Sequence, residues 1–281
     1  MLVSVIVTTK NEEKSIEDCL QSIKNQNLDN SVLFSDSDVL KIETIVVDNN
    51  STDKTKEIAK KYTDKIFNYG PERSAQRNLG VKEASGKYVL YLDADMRLSM
   101  NVLTECVQTC ESQGLIALYI PERIVGQGFW IKIRDFERSF YDATVVDCVR
   151  FIQRDEFLRI DGFDENLTGP EDWDLDRRIR EVGEVGIIKS PLYHSEEEFS
   201  LKRYLQKKNY YIKNFSKYTS KWGKKDKTIR KQLGFFYRYF GVFFEKYKWK
   251  KLVRHPLLAL GMYFLKIVSG FSYLKESLIK Q

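Results

Sequence analysis

Three acidic clusters carry the chemistry this chain could perform. Asp93-Ala94-Asp95 sets two carboxylates at i and i+2 directly after the apolar run Tyr88–Leu92. Carboxylates so spaced on a loop can converge on one divalent cation, and hard oxygen ligands suit Mg²⁺ or Mn²⁺. Such an ion neutralises a diphosphate and helps it leave. Asp48-Asn49-Asn50-Ser51-Thr52-Asp53 also ends an apolar run, Ile45-Val46-Val47. Its short polar side chains can bond a base or ribose edge, and a helix start behind them favours anions. Glu171-Asp172-Trp173-Asp174 opens a helix after Gly169-Pro170, where a carboxylate facing a cleft can take a proton from an incoming hydroxyl. Arg73, Arg77 and Asn78 open another helix and offer groups for a phosphate or base, and His194 follows a strand and Pro191. Each motif alone also reads as a solvated turn, a helix cap or a structural histidine.

The elements around these clusters alternate. Leu2–Val7 is a buried-strand run, and Ile16, Leu20 and Ile23 recur at helical spacing within 13–26. A strand is expected over Thr44–Val47, a helix over 54–62, a short strand at Ile66-Phe67 and a helix over 73–84 with Gly86 as its C-cap. Strand Tyr88–Leu92, a helix near 100–112, strands at Leu115–Ile120 and Val149–Ile152, a helix over Asp172–Val182 and a strand at Val185–Ile188 complete the pattern. Phe129, Trp130, Phe136, Phe140 and Tyr141 predict an amphipathic helix lining an acceptor cleft. This β-α-β-α order predicts an α/β fold, a mostly parallel, Rossmann-like sheet flanked by helices. Ligands in such sheets bind beyond the carboxyl ends of the strands, where Glu12, Asp48, Asp93 and Asp95 fall.

Composition narrows the class. At 281 residues, 42% apolar and 31% charged, the chain is neither disordered nor polytopic. Two histidines and four cysteines without C-x-x-C spacing exclude a zinc finger. Residues 1–199 carry 25 Lys/Arg against 37 Asp/Glu, a net charge of −12, whereas residues 200–281 carry 21 against 3, a net charge of +18. An acidic body with a basic tail predicts chemistry in front and an anionic surface behind. Leu2–Val7 is too short for a secretory h-region, so the body is expected in the cytosol.

Together these segments resemble the inverting family 2 glycosyltransferases of GT-A fold, from about residue 2 to residue 195. Val5-Ile6-Val7-Thr8-Thr9-Lys10-Asn11-Glu12-Glu13 is similar to the family's opening strand and loop, and Ile45–Asp53 to its second strand and base-binding turn. Arg77-Asn78-Leu79-Gly80, Ala84-Ser85-Gly86-Lys87-Tyr88 and Leu92-Asp93-Ala94-Asp95 are similar to its central signature. Gly162-Phe163-Asp164-Glu165, Glu171–Leu175 with Arg178, and His194 resemble its acceptor half. The resemblance implies that Thr8, Glu12, Asp48 and Asn50 line the nucleoside pocket, with Arg77, Asn78 and Arg178 also on the nucleotide sugar. It implies that Asp93 contacts ribose or metal, that Asp95, with His194, holds Mn²⁺ or Mg²⁺, and that Asp172 is the catalytic base. The donor implied is a nucleotide sugar, UDP-linked before GDP-linked. Thr8 stands where a Pro is usual, residues 27–41 read as an insertion, and Ile160-Asp161-Gly162 replaces a common Gly-Gly.

The tail is basic and aromatic. Phe235–Trp249 holds nine aromatics among lysines, and Leu257–Leu265 is apolar but short of the roughly 20 residues a spanning helix needs. It predicts helices in the interface of an anionic membrane, hence a peripheral, monotopic protein on the cytosolic face, with 1–199 as the glycosyltransferase domain and 200–281 as the membrane-facing region. A helical cap on the core or a dimer interface are the other readings of this composition. The acidic body and lack of a nucleic-acid motif argue against a nucleic-acid groove. The acceptor expected is a glycan, membrane-borne or linked to polyprenyl phosphate. Two other functions fit the motifs: a nucleotidyltransferase, which would normally show a Gly-rich loop where Thr8–Glu13 has no glycine, and a non-catalytic sugar-nucleotide or glycan-binding module.

Overall fold

A computed structural model describes residues 1–28, 40–196, 198–212 and 215–279, so most of the expected insertion at 27–41 lies outside the described residues. Strand β1 (Leu2–Thr9) leads through α1 (Ile16–Lys24) to β2 (Lys41–Asp48), then α2 (Thr55–Ala59), β3 (Ile66–Asn68), α3 (Arg73–Glu83) and β4 (Tyr88–Asp93). Next come β5 (Met96–Leu98), α4 (Val102–Gln113), β6 (Ala117–Tyr119), β7 (Glu122–Val125) and α5 (Phe129–Arg138). They are followed by β8 (Phe151–Gln153), α6 (Arg154–Arg159), α7 (Glu171–Val182), β9 (Val185–Ile187) and β10 (Leu192–Ser195). The remainder is helical: α8 (Leu201–Ile212), α9 (Phe215–Trp222), α10 (Lys227–Leu233), α11 (Val242–Phe244), α12 (Trp249–Arg254) and α13 (Pro256–Ile279).

The first of two compact units comprises Met1–Glu122, Asp147–Asn166 and Glu171–Ser195. Its seven-stranded sheet runs β3-β2-β1-β4-β8-β6-β9. The pairs β3–β2, β2–β1, β1–β4 and β6–β9 are parallel, whereas β8 is antiparallel to both β4 and β6. Strand β1 is central and buried on both faces, which is why it reads as an unbroken apolar run. Its alternation assigns the faces. Val3, Val5 and Val7 share a core with Ile16, Leu20 and Ile23 of α1 and with Val102, Leu103, Cys106 and Val107 of α4. Ile6 points the other way, onto Gly80 of α3. Each fully buried aliphatic side chain contributes about 1.5–3 kcal/mol. The four cysteines are buried and unpaired.

Gly86 differs from its expected role. Helix α3 is capped by Ala84 in an extended conformation. Gly86 instead lies against β1, where an added Cβ would come within 2.7 Å of the Ser4 backbone nitrogen, and its N–H donates to Ser4 Oγ at 2.9 Å. The glycine is required by close approach of two backbones, not by a helix end.

The second unit comprises Arg123–Val146, Leu167–Pro170 and Glu196–Gln281. The amphipathic helix expected around Phe129 is α5. Its Ile133 and Phe136, with Phe140, pack on Val242, Phe243, Met262 and Leu265. Inside this unit the buried Lys266 ammonium lies 3.2 Å from Glu137 and donates to the Tyr141 hydroxyl at 3.1 Å, a satisfied arrangement that a buried charge demands. Among the described residues no helix is long and apolar enough to cross a membrane. Helix α13 nevertheless exposes Leu257, Leu260, Phe264, Ile267 and Phe271, a stripe spaced three and four residues apart.

Candidate active site

Strand register gathers the first residues. Thr8 of β1 lies opposite Val47 on one side and Asp93 on the other, and Thr9 lies opposite Asp48. The carboxyl ends of three adjacent parallel strands therefore present Thr8, Thr9, Asp48 and Asp93 on one sheet edge, where such folds bind ligands. Thr8 Oγ1 donates to Asp93 Oδ1 at 3.0 Å. Gln76 of α3 ties the same edge down, donating to the carbonyls of Thr9 at 3.1 Å and Val47 at 2.7 Å.

Asp48 is fully buried. It accepts from the Ser51 N–H at 2.8 Å and from the Ser51 hydroxyl, so it shapes the 49–55 turn from beneath. That turn is laced to the loop after β1: Asn11 N–H donates to Ser51 Oγ, Glu12 N–H to Thr55 Oγ1, and Thr52 N–H to Asn11 Oδ1, each at 2.8 Å. Asn50 has a left-handed backbone, φ 53°, and accepts from Asn68 Nδ2 at 2.6 Å on the exposed side. The neighbouring Asn49, to which the motif gives no role of its own, is buried and donates to the Pro71 carbonyl at 2.6 Å.

Two arginines join this edge to the start of α7. Arg77, 1% exposed, donates to Asp93 Oδ1 and to Asp172 Oδ1, both at 2.9 Å. Its guanidinium carbon lies 4.6 Å from the Tyr91 ring centre and 5.2 Å from that of Phe163, a dry sandwich that strengthens both ion pairs. Arg73 makes a parallel bridge, to Asp93 Oδ2 at 3.2 Å and Glu171 Oε1 at 3.3 Å. Despite burial, Arg77, Arg73 and Arg150 hold the Asp93 carboxyl well below the usual carboxylate range. Burial, and then Asp172, push Glu171 up to about 6. Arg73, which the sequence offers for a phosphate or base, and Glu171, which opens the acidic helix start, are thus joined to each other and, through Arg73, to Asp93.

Asp95 faces a different partner. Its Oδ2 is 3.1 Å from His194 Nε2, and the other imidazole nitrogen, Nδ1, is 3.1 Å from Glu122 Oε1. Burial opposes the charge on His194, but hydrogen bonds to Asp95 and Glu122 lift it to about 10. The arrangement rests on β5 and β10, which pair antiparallel with His194 opposite Met96. Glu12 is raised by burial and by the nearby charges of Asp95 and Asp93, while its Ser15 hydrogen bond opposes the rise.

Several expected ligand contacts are already engaged within the protein. Asp93, for which the resemblance implies a ribose or metal contact, gives both oxygens to the arginines. Asn78 clamps the Gly162-Phe163 turn, donating to Phe163 O and Glu165 Oε1 at 2.9 Å and accepting from Phe163 N–H at 2.8 Å. Arg178 is bound to Asp174 at 2.8 Å and to the Ile160 carbonyl at 2.6 Å. These three buttress the loops carrying the site. Among the described residues no three ligating side chains already converge as a metal cage. Asp95 does fit a cation: its Oδ1 is buried without a hydrogen-bond partner among the described residues, and a carboxylate beside an imidazole is a donor set for Mn²⁺.

A mostly parallel sheet with a strand-end carboxylate pair and a helix-start carboxylate beside it defines the GT-A class. The family model for glycosyl transferase family 2 matches residues 4–162, more than half of the chain, and the chain belongs to that family. It is 29% identical over 211 residues to the minor teichoic acid biosynthesis protein GgaB of Bacillus subtilis, covering 68% of this chain and 22% of that protein. It is 34% identical over 113 residues to the GalNAc(5)-diNAcBac-PP-undecaprenol beta-1,3-glucosyltransferase of Campylobacter jejuni, covering 37% of this chain and 33% of that one. The chain therefore spans a third or less of either relative. Among solved structures, the mannosyltransferase PcManGT from Pyrobaculum calidifontis, in complex with GDP-Man and Mn²⁺, superposes with a TM-score of 0.64. That alignment covers 99% of this chain and 86% of the other at 19% identity, a likeness of fold.

Proposed function

We propose that this protein is an inverting, metal-dependent glycosyltransferase that moves a sugar from a nucleotide-sugar donor, UDP-linked before GDP-linked, to a hydroxyl of a membrane-borne or polyprenyl-phosphate-linked glycan. The observation carrying this reading is the Asp93–Arg77–Asp172 bridge, which sets a carboxylate with a 30% exposed side chain beside the strand ends that would hold the donor. Arg77 engages one oxygen of Asp172, and the second has no partner among the described residues. That free oxygen takes the proton of the acceptor hydroxyl as its oxygen attacks the anomeric carbon. The bond to the nucleoside diphosphate breaks on the opposite face, and the configuration inverts. The 49–55 turn and Thr8 receive the nucleoside. Asp95 and His194 would hold a divalent cation, which when bound neutralises the diphosphate leaving group. The names of the relatives above, one a glycosyltransferase with an undecaprenol-linked substrate in its name and one crystallised with GDP-Man and Mn²⁺, support this reading.

The second unit's apolar surface supports the membrane part of the proposal. Phe236 is 81% exposed and Tyr247 75%, and the α13 stripe lies exposed in the same unit. Apolar side chains at acyl depth with Lys and Arg reaching phosphates describe an interfacial, peripheral protein on an anionic cytosolic leaflet. Because α5 packs on α13 inside this unit, removing the tail would uncover core, so the test keeps the full chain. Phe236→Ser/Phe264→Ser should stop floating with anionic vesicles while the wild type floats. Equal flotation of the two would contradict the membrane reading.

Product analysis tests the reaction. Incubation with Mn²⁺ and a panel of UDP- and GDP-sugars should release nucleoside diphosphate in step with glycosylated acceptor. In a parallel incubation with a nucleoside triphosphate and a sugar 1-phosphate, release of pyrophosphate would instead identify a nucleotidyltransferase, and absence of any release in either mixture with retained donor binding would identify a binding module.

A further inference from the structure

Glu122 has no place in the acidic motifs, yet it ends a chain of contacts that reaches Asp95. It is 7% exposed. One oxygen, Oε1, lies 3.1 Å from His194 Nδ1, and the other, Oε2, accepts from Arg150 at 3.0 Å. Arg150 is itself held near the Tyr91 ring, 5.8 Å from its centre. On the far side of the imidazole, Nε2 is 3.1 Å from Asp95 Oδ2, while Asp95 Oδ1 is buried without a hydrogen-bond partner among the described residues. The ring is therefore fixed by contacts at both nitrogens.

We infer that Glu122 is a positioning residue: by accepting the Nδ1 hydrogen of His194 it aims Nε2 at Asp95, so that a divalent cation displacing the Nε2 hydrogen finds this nitrogen and an Asp95 oxygen side by side as ligands. Carboxylates behind metal-bound histidines act this way, setting the tautomer and raising the basicity of the ligating nitrogen. Arg150 keeps the buried Glu122 charge compensated and its oxygen turned to the ring. The inference rests on the metal reading above and adds to it a residue that touches neither substrate nor metal.

Mn²⁺ binding in the presence of UDP, followed by loss of the free-ion electron paramagnetic resonance signal, tests it without turnover. Glu122→Ala should weaken Mn²⁺ about 10–100-fold, the usual worth of such a partner. Glu122→Gln, whose amide oxygen still accepts from Nδ1, should weaken it less. If both bind Mn²⁺ as the wild type does, Glu122 has no such role and the inference falls while the metal reading stands. If the wild type itself binds no Mn²⁺, the metal reading fails and the inference falls with it. A readout on the unaltered chain removes dependence on variants that fold poorly. With Cd²⁺ and ¹⁵N-labelled histidine, His194 should show a protonated Nδ1 and a metal-bound Nε2. Metal bound at Nδ1 would overturn the inference.

Discussion

Arg77 donates to Asp172 at 2.9 Å from a position almost wholly removed from solvent. The candidate base is thus tied by a side chain from α3 to the carboxylate that ends β4, and site geometry and stability share one residue. Arg77→Met should leave Asp172 without its counter-charge and Asp93 with Arg73 alone as its ion-pair partner. The expected loss is about 3–5 kcal/mol of unfolding free energy, measurable by urea denaturation. Adding Asp93→Asn should recover part of it. A single variant as stable as the wild type would contradict the strut.

Packing beneath the site gives a second expectation. Gly80 of α3 lies so close to Ile6 that an added Cβ would overlap its side chain. Gly80→Ala should cost about 1–3 kcal/mol through overpacking and push α3, with Arg77, away from the sheet. Thermal unfolding together with donor affinity would register both effects, and no change in either would show that the β1–α3 contact relaxes freely.

Asp176 supplies a pH dependence with a definite sign. It lies on α7, 5% exposed, and accepts from Val149 N–H at 3.2 Å. Burial, with some help from Asp147, pushes it up to about 7. The folded protein therefore binds a proton that the unfolded chain releases near pH 4, and the associated stability is present below that pH and lost as pH rises to about 7. Asp176→Asn, which mimics the protonated acid, should gain on the wild type by a few kcal/mol between pH 4 and 7. Urea midpoints at both pH values check this, and a parallel pair of curves would contradict it.

The elements that position the site were legible because each buried face leaves a period in the chain. Continuous apolar strands, the Ile16/Leu20/Ile23 stripe and the acidic pairs at strand ends all express local rules. Residues whose role depends on a distant partner left no such trace. Glu122 and Arg150 belong to no motif in the chain, and their 3.0 Å contact spans 28 positions. The β5–β10 pair is too short to show alternation. The loop contacts of Asn78 and Arg178 leave no trace in the chain either, because a polar residue on a helix looks the same whether it faces a cleft or clamps a loop. The charge boundary near residue 200 likewise carried no sign that Arg123–Val146 clusters with the helical tail.

Asp172→Asn tests the central claim most directly. The amide keeps the shape of the carboxylate but cannot take the proton. Calorimetric donor affinity with Mn²⁺ should stay within about twofold, while single-turnover transfer should fall by about 10²–10⁴, the usual worth of a general base. Transfer at the wild-type rate in a folded, donor-binding Asp172→Asn protein would remove this carboxylate from the chemistry and contradict the account.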